Sequence, residues 1–184
     1  PLLRLPELIK TELPILITEG EGKCDRAQQL LPDYFTACYS MGGSSFGKTD
    51  FSVLKGRDVI LWPDADKNLN GTDSFESLSL VLKEEYGIEA KTVPTPTYQE
   101  IQSYFKGKFP KTSWDLGDEI PAQVNIRDLL SKAEYKKINR KILNIEYSDI
   151  RKYKDDFIYI SQGLCFWDRT KRRARKEKDV NNIF

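Results

Sequence analysis

Carboxylates are the side chains in this sequence best placed to do chemistry. Glu19 follows a short apolar run, LPILIT (Leu13 to Thr18), and Asp64 and Asp66 follow another, DVILW (Asp58 to Trp62). An Asp-x-Asp pair on extended backbone points both acids to one side. Hard oxygen donors in this number suit magnesium, or manganese in its place. Such ions bind through a few carboxylates, keep several waters and take their remaining ligands from substrate phosphates. The plain alternative is that each acid is a loop residue or a helix cap, a common use of Asp.

Other chemistries fall away on composition. The 184 residues contain no histidine, so imidazole triads and histidine general bases are excluded. Cys24, Cys38 and Cys165 are an odd number, far apart and without a C-x-x-C pair, which predicts reduced thiols and no zinc site. What remains is carboxylates, lysines, arginines and hydroxyls.

The two apolar runs read as strands buried on both faces, being short, β-branched and bounded by Gly20 and Pro63. Between them, Ala27, Leu30 and Leu31 fall at helical spacing within Lys23 to Leu31, with Pro32 as the stop, and Phe35 to Ser40 reads as a second strand. After Trp62, Asp73 and Glu76 have capping-box spacing. Phe75, Leu78, Leu82 and Tyr86 then give one apolar helix face up to Gly87, and Ile88 to Val93 reads as an edge strand before the Pro94/Pro96 turn region. This order describes a compact Rossmann-type parallel α/β sheet of about four strands with flanking helices. In such sheets ligands bind beyond the carboxyl ends of the strands, where Glu19, Asp64 and Asp66 fall.

From Pro121 on, polar helix formers dominate and the expected extension is mainly helical, with Ile126 to Ile142 as its helix. Asp156 to Ile160 and Leu164 to Trp167 read as a hairpin around Gly163. The stretch Arg169 to Lys178 holds seven Lys/Arg against Glu177, a local charge of +6 in a chain of net +1, so the other residues sum to about −5. Arg169, Lys171, Arg172, Arg173 and Arg175 in this tail suit nucleic-acid phosphates, or else form a solvated end or linker. Tyr34, Tyr39 and Trp62 read as core aromatics, and Trp167 as the better base-stacking candidate.

ITEGEGKCDRA (Ile17 to Ala27) followed by GKTDFSVLKGRDVILWPDADKNLNG (Gly47 to Gly71) resembles the TOPRIM domain of primases and topoisomerases. It looks most like the primase-helicase proteins of phages and plasmids. The resemblance covers roughly Leu13 to Ile120, leaving residues 1–12 as a leader and 121–184 as an extension that could begin a further domain. It implies a general acid/base at Glu19 and magnesium on Asp64 and Asp66. It also suggests Asp25, and the late acids Asp115 and Asp118, as accessories. Where relatives commonly enter the next helix directly, this chain has KNLNGTD (Lys67 to Asp73), expected to hold that helix away from the metal.

GGSSFGKT (Gly42 to Thr49) matches the P-loop pattern G-x-x-x-x-G-K-[ST]. A P-loop must open a helix, yet Lys55-Gly56 breaks the pattern after about two turns, and Asp64 comes only fifteen positions after Thr49. The resemblance explains the same glycines as the turn after the second strand. Lys48 and Lys23 remain candidates for phosphate contacts.

The resemblance implies a primase-type, magnesium-dependent nucleotidyltransferase that takes DNA and nucleoside triphosphates as partners. It also implies helicase or other replication domains as partners, and a chain that begins with proline rather than methionine is expected to be a piece of a longer polypeptide. The rivals are phosphodiester cleavage of the TOPRIM nuclease or topoisomerase kind, and a non-catalytic nucleic-acid-binding fragment of a primase-helicase. No run approaches the roughly 18 apolar residues of a membrane span, and PLLRLPELIK lacks the pattern of a signal peptide. A cytoplasmic location without a membrane partner is expected.

Overall fold

The computed structural model describes residues 2–39, 46, 49–68 and 70–135, and beyond them the backbone of three strands. In chain order the elements are α1 (Leu5–Leu8), β1 (Ile15–Glu19), α2 (Glu21–Leu30), β2 (Phe35–Tyr39), β3 (Val59–Leu61), β4 (Ala65–Asp66), α3 (Asn70–Tyr86), β5 (Ala90–Thr92), α4 (Tyr98–Tyr104), β6 (Ser113–Trp114), α5 (Ile126–Ser131) and β7 (Glu134–Tyr135). After these come β8 (Phe157–Ile160), β9 (Gly163–Asp168) and β10 (Arg173–Lys176). The chain divides into two compact units, Pro1–Lys136 and Lys137–Phe184.

The first unit is a mixed α/β fold around a five-stranded sheet of order β2-β1-β3-β5-β7. Its first four strands are parallel, with Ile17 opposite both Ala37 and Leu61, and Leu61 opposite Thr92. Strands buried on both faces need apolar residues at every position, which is why LPILIT and DVILW read as continuous runs. Alternation then sorts them between two cores. Ile15, Ile17, Val59 and Leu61 pack with Leu8, Phe51, Leu54 and the α3 residues Phe75, Leu78 and Leu82 on one face. Leu16, Ile60 and Trp62 pack with Ala27, Leu31, Ile101, Trp114 and Leu130 on the other.

Helix α3 starts at Asn70, three residues before the capping box expected at Asp73, because the Gly71 amide donates to the Asp66 carboxylate and helical bonding begins upstream. It ends as expected. Gly87 takes φ 67° and its amide returns to the carbonyl of Lys83, the single bond of a left-handed glycine stop, while the Ile88 amide reaches the Leu82 carbonyl. In the segment read as a proline turn region, α4 opens on a capping box between Thr97 and Glu100.

Two expectations for the later chain need correction. The helix expected over Ile126 to Ile142 ends at Ser131; Glu134–Tyr135 then turns antiparallel onto β5, with the Lys91 ammonium 5.8 Å over the Tyr135 ring. Strand β5 is therefore not an edge. Much of the extension expected to be mainly helical lies outside the described residues. Past Tyr135 the described residues form strands, the expected hairpin of β8 and β9 with Ile160 opposite Gly163, extended by β10 from the basic segment. Among the described residues, no helix is long and apolar enough to cross a membrane.

The glycine run of the P-loop match lies largely outside the described residues. After Thr49 the chain makes a single 3-10 turn, Ser52–Leu54, and then reaches Gly56 at φ 76°. That segment offers no helix N-terminus of the kind a nucleotide phosphate requires.

Candidate functional site

Gly20 sets the first corner of the site. It holds φ 83° and ψ 155°, a combination essentially confined to glycine, and so converts β1 into α2 within one residue. Glu19 is left half-buried at the carboxyl end of β1, and Lys23 stands on the first turn of α2.

The second corner depends on a two-residue ladder. Beyond β3 and Pro63 the chain enters β4, where Ala65 pairs with Trp114 and Asp66 with Ser113. The Lys67 amide donates to the Thr112 carbonyl at 2.9 Å, continuing the ladder at one end. At the other end the same register sets Asp64 opposite Asp115. Both acids are buried, at 6% and 8% exposure.

Lys23 joins them. Its ammonium donates to Asp64 Oδ2 and lies 3.5 Å from Asp115 Oδ2. Burial pushes the Asp64 carboxyl up to about 7 against the pull of Lys23, with Glu19 and Asp115 adding to the rise. For Lys23, burial works to lower the pKa, but Asp64, Asp115 and Glu19 outweigh it and raise the ammonium above its ordinary value. The site at neutral pH is thus a lysine cation held among acids, two in contact and Glu19 near enough for its charge to be felt.

Asp66 has a different task. Its carboxylate accepts from the Asn68 amide at 2.9 Å and from the Gly71 amide at the start of α3. A side chain at Gly71 has no room, because a Cβ there would lie 2.8 Å from the Asp64 carbonyl oxygen and 2.9 Å from the Asp64 Cβ. The segment KNLNGTD therefore does not hold the helix away as expected. It folds the first turn of α3 down against the backbone of Asp64.

The remaining sequence candidates separate. Asp115 Oδ1 accepts from the Gly117 amide at 2.7 Å, and Asp118 accepts from the Asp115 amide at 3.2 Å while pairing with Lys111. Asp118 shapes the turn that presents Asp115. Asp25 pairs with Arg4 and is largely exposed. Lys48, Arg169, Lys171 and Arg172 lie outside the described residues, and of Arg173 and Arg175 only the backbone, in β10, is described. Tyr39 and Trp62 are fully buried, as core aromatics should be. Tyr39 is the register partner of Glu19, and burial, with the Glu19 charge, pushes its phenol up. Cys24 and Cys38 are free and buried.

Among the described residues, no three acids or thiols stand close enough together to hold a metal ion by themselves. Magnesium asks for less, commonly one or two carboxylates with waters and phosphate oxygens completing the shell. Asp64 and Asp115 meet that requirement, since they already converge on one positive charge. The donor set fits.

Fold and site together define a mixed α/β protein whose mostly parallel sheet carries a buried acidic pair and a bridging lysine beyond its strand ends. No protein-family model, no curated protein and no solved structure matches the chain.

Proposed function

We propose that this chain carries a primase-type TOPRIM domain that joins nucleotides on a DNA template by magnesium-dependent nucleotidyl transfer. The observation that carries the reading is the convergence of Asp64 and Asp115, with Glu19 close by, on one cation position beyond the carboxyl ends of β1 and β3. That edge is where open α/β sheets bind ligands.

Asp64 and Asp115 would hold the magnesium ion, which when bound supplies positive charge to a triphosphate and to the oxyanion developing on it. Glu19, on its own strand end and half-exposed, accepts the proton of an attacking 3′-hydroxyl. The resemblance also gives Asp66 a place on the metal. Its amide bonds add a second duty, fixing the start of α3 over Asp64. The basic segment around β10 supplies phosphate contacts to DNA, and helicase or other replication domains are the natural neighbours of such a domain.

Incubation with single-stranded DNA, labelled nucleoside triphosphates and magnesium tests the reading. Labelled oligonucleotides that disappear with Asp64→Asn support it. Shortened DNA without incorporation identifies instead a cleaving enzyme on the same acids. The Lys23 bridge favours one further reading, a nucleic-acid-binding domain whose acids are neutralised by lysine. DNA binding without incorporation or cleavage selects that one.

A further inference from the structure

The Lys23 ammonium stands where a divalent ion on Asp64 and Asp115 would stand. It contacts both acids, and it comes from a different element, the first turn of α2, at a helix start fixed by the Gly20 backbone. Two carboxylates buried this deeply repel each other and lose hydration, so when both are ionised a metal-free fold is stabilised by a compensating charge. Lys23 provides it without any ligand. The same ammonium must then oppose any other cation at that position, since two positive charges at such short range repel strongly where water is scarce.

We infer that Lys23 is a tethered counter-cation, competing with the divalent ion for Asp64 and Asp115 and setting the concentration at which the ion can enter. The inference rests on the cation site proposed above and adds to it a direction of effect that an ordinary supporting residue lacks. Removing the lysine charge weakens the metal-free fold yet strengthens the grip on the metal. A lysine that only braced the site would, on removal, weaken both.

The test is calorimetric titration of manganese into the wild-type chain, Lys23→Met and Asp64→Asn, with thermal melting of each in chelator and in manganese. Lys23→Met should bind manganese about tenfold tighter or more, melt lower in chelator, and gain more from added manganese than the wild type gains. Binding by Lys23→Met alone supports the inference equally. If Lys23→Met fails to fold in chelator, Lys23→Gln, which keeps a polar side chain of similar reach, carries the same comparison. Wild-type binding that requires Asp64, with variants that bind no tighter, overturns the inference and leaves the cation site standing. Absence of manganese binding in the wild type and in both lysine variants overturns the cation site as well.

Discussion

At the scale of single residues the account turns on Asp64. In the unfolded chain its carboxyl ionises near 3.8, whereas in the fold it is pushed up to about 7. Between those values the folded state holds a proton that the unfolded state has lost, so this residue's contribution to stability falls as pH rises from about 4 to about 7. Denaturant unfolding of the metal-free protein across that range should show a slope that Asp64→Asn flattens. Proton and metal compete for the same oxygens, so divalent affinity should rise over the same interval. Asp66→Asn should behave otherwise, costing about 1 kcal/mol through the weakened hold on the α3 start and leaving part of the metal affinity intact. Glu19 and Asp64 were legible because each ends a short apolar run, and strand ends are where acids can converge. Asp115 was visible only through resemblance, and only as an accessory. Its nearness to Asp64 comes from a two-residue ladder, β4 on β6, too short to leave any periodicity. Lys23 was legible as a cation near phosphate, but its acid partners lie far along the chain and emerge only from the packing of α2.

At the scale of elements, two glycines position the site and can be tested separately. Gly20→Ala forces a side chain into a backbone conformation that costs on the order of 1–3 kcal/mol, and it shifts the junction carrying both Glu19 and Lys23. Gly71→Ala retains an ordinary helical backbone but drives a Cβ into Asp64. It should cost about 1–3 kcal/mol by overpacking and lower metal affinity by moving the acid. A Gly71→Ala protein with wild-type melting and wild-type affinity would show that α3 does not press on Asp64. The parallel strands and the two crossover helices α2 and α3 followed from hydrophobic pattern, since burial on one or both faces writes itself into the sequence. Their boundaries were less readable. The α3 start is decided by a carboxylate on the preceding strand, and the end of α5 by the pairing of Glu134–Tyr135 with β5, both tertiary events. Helix α4 was a different kind of miss, for its Thr97-x-x-Glu100 cap is written in the sequence beside the prolines that drew attention to a turn.

At the scale of the whole molecule, the first unit uses more of the chain than the stretch that carries the resemblance. Leu2 and Leu8 from the leader are buried in one core, and Leu130 from α5 in the other, while Arg127 forms a paired contact with Asp33 at 2.8 Å through both guanidinium nitrogens. A fragment of residues 1–136 should therefore melt cooperatively, whereas 1–120 should melt well below it. The shorter fragment loses α5, the β7 edge pairing, and an apolar contribution of roughly 1.5–3 kcal/mol for each large side chain removed from the core. Equal melting temperatures would show that α5 and β7 are accessory to the fold. In the proposed function the second unit contributes its basic strand to DNA binding. The first carries the buried acids of the proposed chemistry, which requires that they accept a divalent cation. Calorimetric titration of magnesium and manganese into the intact chain and into Asp64→Asn and Asp115→Asn measures this directly. The account predicts one bound ion per wild-type chain and severe loss of binding in both variants; binding that neither substitution alters, or no binding in the wild type and none once the Lys23 charge is removed, would contradict it.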